Sequence, residues 1–206
     1  MFYDPNTKMA IGWWPLIPRA EIEGTLTFKG EKVPVMGLGY CERQLGNKAF
    51  AGRISRWFWV HFYAGDYTAI WAEIAFPESL QYRHFSPLVF WKGSNIILST
   101  HNLSLYPEHF TLDSEIRMPF PKIETLHATE GNVELSALVL PGTITERDLM
   151  TNNPGTSPEK PGCYFRQYSE IDVEIRRLDQ LENIRGKCIH ESGWITHWFP
   201  VARDIT

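Results

Sequence analysis

Two titratable side chains set among aromatic residues, His61 and Glu73, are the part of this sequence best equipped for chemistry. They belong to the run RWFWVHFYAGDYTAIWAEIA, residues 56 to 75. Side chains alternate across a strand with a period of two, so Trp57, Trp59, His61 and Tyr63 share one face of a first strand. After a turn at Ala64, Gly65 and Asp66, a second strand puts Tyr67, Ala69, Trp71 and Glu73 on one face. The opposite faces, Phe58, Val60 and Phe62 and then Thr68, Ile70, Ala72 and Ile74, are nearly all apolar. Strands apolar on both sides are covered on both sides, which is expected to place the imidazole and the carboxylate against an interior or a pocket. Desolvation between Trp71 and the aromatic face of the neighbouring strand would raise the pKa of Glu73. It would then be a general acid for an alkene, carbonyl or epoxide near neutrality. The plainer reading is a carboxylate ion-paired to an arginine or standing at a strand end. For His61 the plainer reading is an interior histidine satisfied by a backbone carbonyl. Trp57, Trp59, Tyr63, Tyr67 and Trp71 could stack on a polyene or fused-ring ligand, or fill the core.

The elements that must hold these residues read as strands throughout. Alternation is clean from Ala20 to Lys29, Lys29-Gly30-Glu31 forms a turn, and Val33 to Cys41 returns with Gly37 and Gly39 marking a bend or a close approach. Pro87 to Trp91 and Ile96 to Thr100 flank the turn Lys92-Gly93-Ser94-Asn95. Glu115 to Met118, Lys122 to Ala128, Asn132 to Leu140, Tyr164 to Arg177 and Gly186 to Trp198 complete the series. Thr145 to Met150 and Leu178 to Asn183 are the only segments that read as helical turns. Prolines 5, 15 and 18 suggest an extended lead-in over residues 1–18, with a single domain over 19–206 and a mobile Pro- and Gly-rich loop at 151–162. About eight to ten antiparallel strands with little helix predict an all-β fold, a barrel or sandwich. A closed barrel of that size encloses one small ligand.

Composition narrows the partners. Hydrophobic residues make 43% of 206 positions and aromatic ones 14%, enough for a large apolar core. A net charge of -4 with both signs interspersed offers no field for nucleic acid and no polybasic membrane patch. No segment approaches a membrane span and the start lacks the layout of a secretory signal, so a cytoplasmic protein without stable membrane insertion is expected. Cys41, Cys163 and Cys188 are odd in number and far apart, which suggests neither a disulfide framework nor a zinc site. His190, Glu191 and His197 lack helical metal-ligand spacing, so no metal is expected; with His101, Asn102 and Trp194 they are candidates for a rim. Gly37-Leu38-Gly39 followed by Glu42 is no dinucleotide fingerprint, and no cofactor is expected. Tyr40, Glu42, Arg43 and Gln44 form a compact polar cluster. Either Arg43 pairs with Glu42 or another acid, or it receives a ligand carboxylate or phosphate.

The runs GWWPLIPRAEIEGTLTFKGEKVPVMGLGYCERQLGN, WFWVHF and GDYTAIWAE resemble the lipocalin-like family that includes carotenoid 1,2-hydratase (hydroxyneurosporene synthase), the AttH-type proteins and the fungal decalin-forming Diels-Alderases. The match covers residues 12–75. The family's xVxGxL strand corresponds to Glu23-Gly24-Thr25-Leu26, and its GY-x-D-[HKR]-[NQ]-W-G motif to Gly39 through Gly46. Its WxWxH-like strand corresponds to Trp57 through His61, and its GxY-x-x-x-W-x-acid strand to Gly65 through Glu73. Glu42 stands where the family has aspartate, Arg43 where it has histidine or lysine, and Leu45 where it has tryptophan. Of the hydratase group's proposed acid-catalysis positions, which become Arg43, Leu45, Trp71 and Glu73, only the carboxylate keeps its chemistry. The Diels-Alderase branch suggests that His61 donates a hydrogen bond to a ligand carbonyl.

The resemblance implies a lipocalin-like barrel equivalent to the second of two, with a homodimer or a partner barrel completing the assembly. The function expected is a cofactor-independent enzyme of hydrophobic secondary metabolism, acting on a terpenoid, polyene or polyketide by cyclisation, isomerisation or hydration. The alternative is a non-catalytic carrier of a lipidic ligand. Holding a flexible substrate in a reactive conformer supplies much of the rate in such reactions, so few catalytic side chains are needed.

Overall fold

The computed structural model describes residues 1–47, 53–152 and 156–195. The chain divides into two compact units, Met1–Lys48 and Ala49–Thr206. Among the described residues, the regular elements are antiparallel strands apart from one 3-10 turn at Glu78–Leu80. No helix among the described residues is long and apolar enough to cross a membrane.

In the first unit, strands β1 (Phe2–Asp4), β2 (Met9–Phe28) and β3 (Glu31–Gly46) form a sheet in that order. The stretch expected as a lead-in is therefore part of this sheet, and residue 19 falls inside one continuous strand. Pro15 and Pro18 have no N–H to give a ladder, and they are accommodated where the β2–β3 register slips, between Pro15 and Ile17 and between Ile17 and Ala20. The turn falls where the sequence puts it, with Lys29 at φ 51° and Gly30 at φ 84°, the left-handed pair that joins twisted strands in a tight hairpin.

The second unit is one ten-stranded sheet of β4 (Arg56–Ala64), β5 (Tyr67–Ala75), β6 (His84–Phe85), β7 (Leu88–Lys92), β8 (Asn95–Thr100), β9 (Leu103–Leu112), β10 (Pro119–Glu130), β11 (Val133–Met150), β12 (Gly162–Arg177) and β13 (Gln180–Trp194). The strand order is β8-β7-β5-β4-β13-β12-β11-β10-β9, with the short β6 on β5. Each ladder joins near neighbours in sequence except β4–β13, which joins the first strand to the last. At the ends of that order, β8 leads straight into β9. There the Thr100 hydroxyl donates to the Thr129 carbonyl on β10, and the Thr129 N–H to the Asn102 carbonyl.

The sheet curls on itself. Strands in a sheet are about 4.8 Å apart, so β9 and β13, four ladders apart, would be about 19 Å apart if it were flat. Instead the rings of Phe110 on β9 and Trp194 on β13 lie 5.8 Å apart. The enclosed face carries the core, including Phe58, Val60, Phe62, Trp71, Phe90, Leu126, Phe165, Ile175 and Trp194.

Three expectations are corrected. Thr145–Met150 is strand, because it pairs residue by residue with β12 from Glu146 opposite Arg166 to Met150 opposite Gly162, and tertiary pairing overrides weak helical propensity. Leu178–Asn183 is a turn running into β13, with Leu178 at φ 51°. Glu115–Met118 is a turn, not a strand: the Asp113 carboxylate accepts the N–H groups of Glu115 and Ile116, an Asx arrangement that competes with extended pairing. Of the expected loop at 151–162, residues 153–155 lie outside the described residues, and Ser157 bridges Lys160 in the remainder.

A candidate active site on the inner face of the sheet

The aromatic hairpin forms as expected, with β4 and β5 joined through Gly65 and Asp66 and Gly65 at φ 56°. Its register decides which side chains meet. Phe58 pairs with Glu73, Val60 with Trp71, Phe62 with Ala69, and on the other face His61 pairs with Ile70 and Trp59 with Ala72. Directly opposed residues point to the same side of a sheet, so Glu73, Trp71 and Tyr67 face the core while His61, Trp57, Trp59 and Tyr63 face away. His61 and Glu73 therefore lie on opposite sides of the hairpin. Both faces are nonetheless covered, with His61 2% and Glu73 3% exposed. His61 lies edge-on to Tyr63 with ring centroids 4.4 Å apart and stacks beside Trp59. Trp57 lies over Gly193 of β13 and stacks on Tyr164 of β12, in space that only glycine leaves.

Around Glu73 a polar centre closes one end of the interior. Its Oε1 accepts from Arg56 Nη2 at 3.2 Å, and the same oxygen contacts Nδ1 of His84. Its Oε2 is buried with no protein partner. The Arg56 guanidinium lies over the rings of Phe58, at 5.6 Å, and Trp194, at 5.9 Å, so a buried cation has both an anion and two ring faces beside it. Burial pushes the Glu73 carboxyl upward, but the His84 hydrogen bond and the Arg56 charge outweigh it and hold the pKa below the ordinary carboxylate range. The expected general acid is therefore an ionised anchor. Fixed through Nδ1, the half-exposed imidazole of His84 keeps its other nitrogen available at a cleft of about 320 Å³ lined by Ser55, Arg56, Ala75, Phe76, Tyr82 and His84.

The remaining candidates disperse. Tyr67 sits at the opposite end of β5, where its hydroxyl donates to Glu182, which also holds Lys92 at 2.9 Å. In the first unit, Glu42 accepts from Trp13 Nε1 at 2.6 Å and from Gln44 Nε2 at 3.1 Å. Adjacent strand residues point to opposite sides, so Tyr40, Glu42 and Gln44 share one face and the exposed Arg43 lies on the other. The single cluster expected there is two half-clusters. His101 stacks on Phe85, and desolvation lowers its pKa. Glu191 is bound by Arg166 on the outer face. His190 and Trp194, expected at a rim, are instead fully enclosed, and His197 lies outside the described residues.

Sequence reasoning named His190 but missed its partner, Glu124, and the enclosed polar groups around them. His190 Nε2 lies 2.8 Å from Glu124 Oε1, and the two side chains are 0% and 1% exposed. Gln167 is directly opposite His190 in the β12–β13 ladder, and Ser192 is two residues along β13; both are fully buried. A sequence signal existed for Glu124, a lone carboxylate in phase with the apolar Leu126 and Ala128. None could show that β10 and β13 meet across the interior.

Solved structures with the same architecture include CghA with Sch210972, with a TM-score of 0.67 at 10% identity over 90% of this chain and 55% of that one. Kievitone hydratase from Nectria haematococca matches with 0.57 at 17% over 90% and 53%, and an AttH of Nitrosomonas europaea with 0.57 at 12% over 94% and 55%. The chain shares their lipocalin-like fold. It spans about half the length of these proteins. No protein-family model matches the sequence, and neither does any curated protein.

Proposed function

We propose that the protein is a cofactor-independent enzyme of hydrophobic secondary metabolism that binds a terpenoid, polyene or polyketide against the aromatic inner face. There it catalyses a cyclisation, isomerisation or hydration. The supporting observation is the triad at the end of the core, in which a buried Glu73 fixes His84 and is itself balanced by Arg56. A base or acid held in one tautomer by a carboxylate is the arrangement general acid–base catalysis requires. In this reading His84 is the catalytic residue and gives or takes the proton at its free nitrogen. Glu73 is a positioning residue that steadies the imidazolium, and the apolar wall around Trp71 and Phe58 holds the substrate's reactive conformer and excludes water.

The test is native mass spectrometry of the protein purified from its own source, followed by chromatographic assay of any copurified ligand after incubation. Conversion by the wild type that falls at least about 100-fold in His84→Ala, with binding retained, supports catalysis through His84. Ligand returned unchanged by both proteins supports the carrier reading instead.

A second reading, that the chain works with a partner barrel or a second copy, is favoured by the first unit. There the β2–β3 hairpin gathers Ile22, Leu26, Phe28 and Val33 on one face, exposed by 46–67%, and the solved structures are about twice as long. Sedimentation equilibrium that yields a monomer with full activity would exclude it.

A further inference from the structure

Within the enclosed face lies a belt of polar groups that the triad does not use. One level of the sheet runs Gln167, His190, Val60, Trp71 from β12 through β13 and β4 to β5. Gln167 is 0% exposed and neither its amide oxygen nor its nitrogen has a protein partner. The same holds for the indole N–H of Trp71 and the hydroxyl of Ser192, one level along. Glu124 reaches this level from β10; its carboxylate is close enough to His190 for an ion pair, yet neither group is aligned for a hydrogen bond. Buried polar groups are nearly always satisfied, because one left unpaired has lost its water without gaining a partner. Three side chains without a protein hydrogen-bond partner, Gln167, Trp71 and Ser192, beside the enclosed Glu124–His190 pair on one face, call for a common occupant.

We propose that this belt is a binding site for the oxygenated end of the otherwise apolar ligand, and that the group bound is uncharged and carries both a hydroxyl and a carbonyl. The inference rests on the reading of the inner face as a ligand site. The partners offered set the class. Trp71 Nε1 and Gln167 Nε2 donate and suit a carbonyl oxygen, while Gln167 Oε1 and Glu124 accept and suit a hydroxyl. A carboxylate or phosphate would meet the Glu124 side chain, with no arginine or lysine among the described residues at this level. The apolar remainder of the ligand lies against Val60, Phe58 and Leu126. A site built to bond a hydroxyl discriminates strongly against an analogue lacking it, because its own groups are then left unpaired.

Fluorescence titration with 3-hydroxyflavone and with flavone tests this, since the two neutral probes share an apolar body and a carbonyl and differ by one hydroxyl. The hydroxylated probe is expected to bind about 10-fold or more tightly, the worth of one well-made hydrogen bond at about 1.4 kcal/mol per decade. Gln167→Leu is expected to erase the difference while keeping affinity for flavone. It should also raise the melting temperature, because it removes an unpaired buried amide without leaving a void. Glu124→Gln provides the second variant and should shrink the preference with the fold intact. Equal affinities, or a preference unmoved by Gln167→Leu, would mean that buried water alone satisfies the belt and would overturn the proposal while leaving an apolar ligand site standing. Binding of neither probe would count against both the belt and the inner face as a ligand site.

Discussion

Glu73 carries two burdens that its substitution should separate. Replacing it by glutamine removes the charge opposite Arg56, whose side chain is 9% exposed, and breaking a buried ion pair by neutralising one partner is costly. Glu73→Gln is expected to lower stability by about 3 kcal/mol, read from urea denaturation. His84, half exposed, should be replaceable by alanine with a loss below about 1 kcal/mol because the Arg56–Glu73 pair remains. The sequence announces Glu73 through its aromatic company, and its burial follows from a strand apolar on both faces. The sign of its pKa shift was not legible, because Arg56 is 17 residues away along the chain and His84 lies beyond the 3-10 turn. Both reach the carboxylate only once the hairpin is closed and β6 is laid on β5. Burial alone argues for an acid, and the two partners reverse it.

At the level of elements, the hairpin was readable to the residue because Gly65 and Asp66 punctuate an unbroken alternation. What alternation cannot supply is register across a turn. A shift of one residue exchanges the faces, and with a two-residue connection Phe58, not Trp59, stands opposite Glu73. The long strands β11 and β12 were harder to read, since Thr145 to Met150 has the polar spacing of a helical turn and is strand only through its ladder with β12. The crossing of Trp57 over β13 gives an element-scale prediction. A Cβ on Gly193 would sit 2.3 Å from the indole ring, so Gly193→Ala is expected to displace Trp57 from Tyr164 and cost about 1–3 kcal/mol. Near-ultraviolet circular dichroism would report the lost stacking, and an unchanged spectrum would refute the packing described.

For the whole molecule, the charge network sets the pH range of stability. Hydrogen bonds from Tyr67, Lys92 and Arg177 hold Glu182 at a pKa of about 2, and Glu73 is lowered as well. A carboxylate with a depressed native pKa binds its proton more readily in the unfolded chain, so its stabilisation is complete above the ordinary value of 4.5 and is lost as pH falls toward 2. Thermal melts are therefore expected to be level from pH 7 to 5 and to decline steeply from 4.5 to 2, and Glu182→Gln should flatten part of that decline. The fold class was visible in strand rhythm and motif, whereas the division near residue 48 was not, because the prolines that suggest a lead-in are absorbed by slips in a regular ladder.

The ladder between β4 and β13 also orders events in time. Residues 56–63 find their partners only in residues 187–194, so as the chain leaves the ribosome the aromatic strand waits for nearly all of its unit to be made. Contacts of such long sequence separation form slowly, and an unpaired edge bearing Trp57, Phe58, Trp59 and Phe62 invites association meanwhile. Slow translation or truncation before β13 should therefore send this chain to aggregates and chaperones, while completion of the last strand commits it to the native state.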